Sequence, residues 1–132
     1  MKAIVVTGHL GLVGSYVAEA CAKSGYIVIG IDCDIRAQLF NDVEKMTEKE
    51  IKHSNELYGI SQYYDIDIRD QTAVKKTIES IAEQFTVKAV VHCAAQPSHD
   101  WAARDPFTDL DINLRGTINL CDALKCLSLI HI

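Results

Sequence analysis

Three glycines, Gly8, Gly11 and Gly14, stand two residues apart where the apolar run Ala3-Ile-Val-Val6 gives way to a helical pattern. At this spacing the first lets the chain turn sharply, the second lets backbone approach a ligand, and the third lets the helix pack close to the strand. A helix N-terminus adds unpaired N–H donors and partial positive charge, so the chemistry on offer is the binding of a diphosphate such as that of a dinucleotide. Leu10, Leu12 and Val13 complete this loop. The plainer alternative is that the glycines merely tighten a turn. Asp32, 24 positions after Gly8, ends a second apolar run. There it would accept hydrogen bonds from adenosine ribose hydroxyls and repel a 2'-phosphate, which favours NAD over NADP. Asp34 and Arg36 follow closely. The arginine could meet a phosphate, or both could be ordinary loop polarity.

These residues need a frame. Continuous apolar runs alternate with helically spaced ones, which predicts a parallel sheet covered on both faces. Strands are expected at 3–6, 26–31, 61–64 and 87–93, and helices at 12–23, 71–84 and 106–124, with one or two surface helices within 36–59. The first helix should turn Val13, Val17, Ala20 and Cys21 inward, and that at 71–84 Val74, Ile78 and Ile81; the one at 106–124 carries Leu110, Leu114, Ile118 and Cys121 at helical spacing. Right-handed crossovers then give an α/β, Rossmann-like doubly wound parallel sheet, incomplete, in strand order 3-2-1-4. Ligands should sit at the carboxyl ends of its strands, where the loops after Val6, Ile31 and Val91 open.

The 132 residues, 48% hydrophobic and 23% charged, fit one folded domain. A net charge of -5 supplies no cation excess for nucleic acid or an anionic membrane surface. Five cysteines without C-x-x-C spacing read as reduced thiols in a cytoplasmic protein, with no metal site expected. The N-terminal strand meets its glycines too soon for a signal peptide, and no apolar stretch reaches the roughly 20 residues of a membrane span.

Thr7-Gly8-x-x-Gly11-x-x-Gly14, Asp32, Asp67-Ile-Arg-Asp70, His92-Cys-Ala-Ala95 and Asn113-x-x-Gly116-Thr117 together resemble the extended short-chain dehydrogenase/reductase family, the nucleotide-sugar epimerases and dehydratases. The resemblance covers residues 1–125, the N-terminal part of an NAD-binding Rossmann domain. Gly30-Ile-Asp32-Cys-Asp34-Ile-Arg36, and Ala95-Gln96-Pro97-Ser98-His99-Asp100 followed by Asp105-Pro106, are most similar to the CDP-paratose 2-epimerase (CDP-tyvelose epimerase) branch. The resemblance implies that Asp67 receives the adenine amino group and that Ile68 contacts the ring. It puts Ala94, Ala95 and Gln96 under the nicotinamide ribose and diphosphate, the second alanine replacing a glycine often found there. Asn113 supports the catalytic water or the helix geometry near the active site, and Ser98 and His99 face substrate beside Gln96. Each has a plainer alternative: Asp67 as a loop cap beside an N-cap Asp70, His99 as a loop histidine or cap, Trp101 as packing rather than a lid, His92 as a core histidine, Asn113 as bonded to its own helix.

The implied chemistry is transient hydride transfer from a nucleotide-diphosphate sugar to NAD, with a tyrosine base, a lysine and a serine or threonine. No Tyr-x-x-x-Lys follows the fourth strand, so no catalytic residue is assigned. The expectation is therefore the binding part of an epimerase or dehydratase, homodimeric when full length. A non-catalytic NAD(H)-binding domain and an NADP-linked reductase are the alternatives. Residues 126–132 offer neither a helix cap nor a continuing pattern and read as an atypical tail, either a sequencing or truncation artefact or a real, poorly packed end. An unfinished sheet would leave the fourth strand an open edge and the fragment marginally stable.

Overall fold

The computed structural model describes residues 1–127; residues 128–132 of the expected tail lie outside the described residues. Four strands, β1 (Lys2–Thr7), β2 (Ile27–Asp32), β3 (Ile60–Asp65) and β4 (Thr86–His92), form one parallel sheet in the order β3-β2-β1-β4. All three pairings are parallel, with Val5 beside Ile29 on one flank and beside Val90 on the other. The expected order is the observed one.

Strand side chains alternate between faces, so each central strand feeds two cores. Ala3, Val5, Ile29 and Ile31 pack on one face against Val74, Ile78 and Ile81 of α4 (Gln71–Gln84) and Leu120 and Ala123 of α7 (Gly116–Leu124). Ile4, Val6 and Val28 pack on the other against Ala18, Val17 and Cys21 of α1 (Leu12–Lys23). Between β2 and β3 run α2 (Arg36–Leu39) and α3 (Glu48–Tyr58), the latter opened by a capping box of Thr47 and Glu50 and closed by left-handed Gly59. Asp70 caps α4 by accepting the Ala73 N–H at 3.0 Å, as its position suggested.

Two helices depart from expectation. In α1 the buried residues are Gly14, Ser15 and Ala18, whereas Val13 and Ala20 are exposed. A helix that lies close to a sheet turns its smallest residues to it, and this rotates the inward face away from Val13. The segment expected as one helix over 106–124 is α6 (Pro106–Leu110), a π-helical turn (Asp111–Arg115) and α7, following a short α5 (His99–Arg104). Leu110, Leu114 and Ile118 are 48–56% exposed and Cys121 is exposed; Ile112, Gly116, Asn119, Leu120 and Ala123 face inward instead. This helix carries apolar residues on two faces, so periodicity alone does not select the buried one.

Candidate functional site

The loops leaving β1, β2, β3 and β4 surround a cleft of about 240 Å³ at the carboxyl edge of the sheet. Gly8, Leu10, Gly11, Leu12, Val13, Gly14, Asp32, Asp67, Ile68, Ala94, Ala95 and Gln96, twelve residues singled out from the sequence, all line it. Asn113, Ser98 and His99 do not. They line an adjoining recess together with Gln96, Pro97, Ala102 and Asp109. Cys33, Ile35, Ile66, Cys93 and Ile112 also line the cleft and were not foreseen, although Cys33, Ile66 and Cys93 directly follow strand ends, the signal that could have found them.

Gly8 has φ of +71°, and a Cβ there would stand 2.7 Å from the Ala94 nitrogen. A Cβ on Gly14 would lie 2.0 Å from the Gly8 carbonyl oxygen, so the first helical turn touches the loop that precedes it. At Gly11 a Cβ would meet only the Gly8 oxygen at 3.3 Å, which leaves that backbone open. No side chain caps α1, and its first turn carries no acidic residue. Its amide donors and dipole are thus unspent and face the cleft, a cradle that fits the diphosphate of a dinucleotide.

Asp32 is held by two backbone donors: Oδ2 accepts the Leu10 N–H at 2.9 Å and Oδ1 the Asp34 N–H at 2.8 Å. Each oxygen keeps a further lone pair for a hydroxyl. Asp34, buried with φ of +51°, accepts the Met46 N–H at 2.8 Å and stands 3.7 Å from Arg36. Asp67 is already engaged, because the Arg69 guanidinium binds both its oxygens (Nε at 3.0 and 2.9 Å) and the Arg69 N–H reaches Oδ1 at 2.9 Å. Burial raises the Asp67 carboxyl, but those hydrogen bonds and the arginine charge outweigh it and hold the group below the usual carboxylate range. Cys33 is pushed up to about 12 by burial and by the Asp67 and Asp32 carboxylates, so it is a thiol and no nucleophile.

On the β4 side, Asn113 joins the π-helical turn to the cleft by accepting the Gln96 N–H at 2.9 Å, while its amide donates to Asp109 at 3.1 Å. The Gln96 side chain folds onto its own loop, accepting the Ser98 N–H and donating to the Ser98 carbonyl at 2.7 Å. Ser98 caps α5 by accepting the Trp101 N–H at 3.3 Å, and His99 is the first residue of that helix. Trp101 packs on the larger core. His92 is half-buried with both ring nitrogens partnered. Sequence reasoning gave no role to His9, whose ring is buried behind the glycine loop against Tyr63 at 5.8 Å, or to Asn119. The Asn119 amide donates to the carbonyls of Ile68 (2.9 Å) and Arg69 (3.1 Å) and ties α7 to the β3–α4 loop.

The sequence profile of the NAD dependent epimerase/dehydratase family matches residues 4–130. UDP-glucuronate 4-epimerase of Thermodesulfobacterium geofontis is 32% identical over 126 residues, covering 92% of this chain and 35% of that protein. UDP-glucose 4-epimerase of Bacillus subtilis is 28% identical, with 93% of this chain and 33% of that protein covered. The chain thus spans about a third of the length of these curated relatives. Among solved structures, the Thermus thermophilus UDP-glucose 4-epimerase complex with NAD superposes with a TM-score of 0.69 at 25% identity, over 98% of this chain and 35% of that one. With the glycine loop, Asp32 and the 3-2-1-4 sheet in place, the match over nearly the whole length settles the assignment: the chain belongs to the NAD dependent epimerase/dehydratase family.

Proposed function

We propose that this chain is the NAD-binding portion of a nucleotide-diphosphate-sugar epimerase or dehydratase. The observation that carries the reading is the convergence on one cleft of three elements: the glycine loop, the uncapped start of α1 and the doubly anchored Asp32. In this reading the amides of residues 12–14 hold the diphosphate, and Asp32 accepts the adenosine ribose hydroxyls. Asp67 and Ile68 flank the adenine, which requires the adenine amino group to share or displace the Arg69 contact with Asp67. Ala94, Ala95 and Gln96 support the nicotinamide half, Asn113 braces Gln96, and Ser98 and His99 face the sugar nucleotide from the adjoining recess.

When bound, NAD supplies a reversible hydride acceptor for a sugar carbon. The residues of this chain bind and orient; the sequence contains no Tyr-x-x-x-Lys after β4 to act as base. For the substrate we favour a CDP-sugar handled by a 2-epimerase. That choice rests on the segments 30–36 and 95–100 with Asp105-Pro106, whereas the two relatives named above act on UDP sugars by their names.

Titration of the chain with NADH and NADPH, followed by nicotinamide fluorescence, tests the cofactor. NADH should bind more tightly, and Asp32→Ala should weaken NADH binding about tenfold or more while narrowing the gap to NADPH. Unchanged selectivity in that variant would remove Asp32 from its role. For the sugar, the whole protein should convert a CDP-hexose at C2 in preference to a UDP-hexose at C4; the opposite preference would replace the branch and leave the family intact.

A further inference from the structure

His92 lies between the glycine loop and the π-helical turn, and its neighbours fix where its proton must be. The Thr7 hydroxyl oxygen receives the N–H groups of Cys93 and Ala94, both at 3.2 Å, and stands 2.6 Å from His92 Nδ1. A hydroxyl has one proton and two lone pairs. With two amides aimed at its oxygen, Thr7 has its proton to give, and Nδ1 is the acceptor facing it. If Nδ1 carried hydrogen instead, three donors would converge on Thr7 and its own proton would have no partner here. The neutral ring must then be protonated at Nε2, which lies 3.0 Å from the Thr117 hydroxyl. Thr117 accepts there and donates to the Asn113 carbonyl at 2.6 Å.

The Cys93 N–H is shared between the Thr7 carbonyl, at 3.1 Å, and the Thr7 hydroxyl; every other donor in this series has one acceptor, and every link points the same way. It starts at the amides of residues 93 and 94, which line the cleft or adjoin it, and ends on the turn that carries Ile112 and Asn113. Backbone bonding in that turn runs i to i−5, with the Gly116 N–H reaching the Asp111 carbonyl. Such single π turns are frequent at functional sites. Here the turn carries Ile112, in the cleft wall, and Asn113, whose side chain holds the Gln96 N–H.

Resting on the dinucleotide-binding reading above, we propose that His92, as its Nε2–H tautomer, is a positioning residue for the cofactor site, holding the π-helical turn and through Asn113 the 94–96 loop in register with the glycine loop. It touches neither cofactor nor substrate. Thr7 of β1 and Thr117 of α7 are its partners, and no carboxylate or cation is among the groups that shift it; burial alone disfavours its charged form. A second proton on the ring would have to enter at Nδ1, against the Thr7 donor, and would reverse the first link.

The test joins a spectroscopic readout to binding. Long-range proton–nitrogen NMR correlation on the chain should show His92 in a single Nε2–H tautomer at pH 7.5, and NADH affinity should fall as His92 takes up its second proton. Thr117→Val should weaken NADH binding about fivefold, the effect of one hydrogen bond, and Thr117→Ser should restore it. An Nδ1–H tautomer, or a rapid exchange between tautomers, overturns the proposal whatever the variants do. So does wild-type NADH affinity in a folded Thr117→Val protein. Should Thr117→Val fail to fold, a Thr117→Ser protein with weakened binding overturns it equally. Absence of NADH binding by the wild-type chain with the Nε2–H tautomer present would instead remove the cofactor reading on which the proposal rests, and the proposal with it.

Discussion

Leu10 donates its backbone N–H to Asp32 Oδ2 at 2.9 Å, so the glycine loop and the tip of β2 are one mechanical unit. The residue that would read the ribose also sets the loop that would hold the diphosphate. Diphosphate affinity and ribose selectivity are therefore coupled, and a change at Asp32 should disturb both.

The close approach of Gly14 to Gly8 separates steric from conformational roles of glycine. Gly14→Ala would drive a methyl group to 2.0 Å from a backbone oxygen, whereas Gly25, with φ of +84°, has nothing within 4 Å of its missing Cβ. Gly25→Ala should cost about 1–2 kcal/mol, the strain of a left-handed non-glycine residue. Gly14→Ala should cost about 3 kcal/mol or more through displaced backbone. Urea midpoints of the two variants compare them, and equal midpoints would contradict the packing described for α1.

Stability should decline as pH falls below about 6.5. Burial lowers the proton affinity of His9, partly opposed by the Asp32 charge, and burial also lowers that of His92. Between the ordinary histidine value and these depressed ones, the unfolded chain binds more protons than the folded one. The sign is thus stability rising with pH across that window. Asp67 acts lower: its depressed carboxyl contributes stability above the ordinary carboxylate range and loses it below. Urea midpoints at pH 7.5 and 5.5 measure the histidine window, and His9→Gln should flatten the difference. A flat profile in the wild-type chain would contradict the neutral state of the buried His9 ring and the half-buried His92 ring.

Asn119 satisfies two carbonyls at once. Asn119→Ala leaves the Ile68 and Arg69 oxygens without that donor and should cost about 2 kcal/mol, and Asn119→Asp should cost more because a carboxylate faces two carbonyl oxygens. NADH affinity should fall in parallel, since Ile68 forms part of the cleft wall. Thermal unfolding of both variants checks this, and a loss under about 0.5 kcal/mol for the alanine variant would count against the tie.

The sheet order and the helices 12–23 and 71–84 were legible because each carries its own punctuation. Gly11 opens one and Ser24-Gly25 closes it; Asp70 opens the other. The strand-end rule likewise placed the glycine loop and Asp32, the family resemblance added Asp67 and Ala94–Gln96, and all of them line one cleft. What escaped depends on partners distant in sequence. Leu110, Leu114 and Ile118 repeat as faithfully as Ile112, Leu120 and Ala123, and only packing with β1, β2, α4 and Ile68 selects the second set. The π-helical turn is written in no local pattern, and the Thr117–His92 contact beside it joins residues 25 apart. His92, expected as a satisfied core histidine, has both nitrogens partnered but is half-buried rather than in the core.

The central claim is that this cleft binds NAD through the glycine loop and Asp32. Isothermal titration of the purified chain with NAD, NADP and each of them on Asp32→Ala measures it directly. The account predicts saturable one-to-one binding of NAD, weaker binding of NADP, and a difference that shrinks in the variant. Failure of NAD to bind a folded wild-type chain, or tighter binding of NADP, would contradict it.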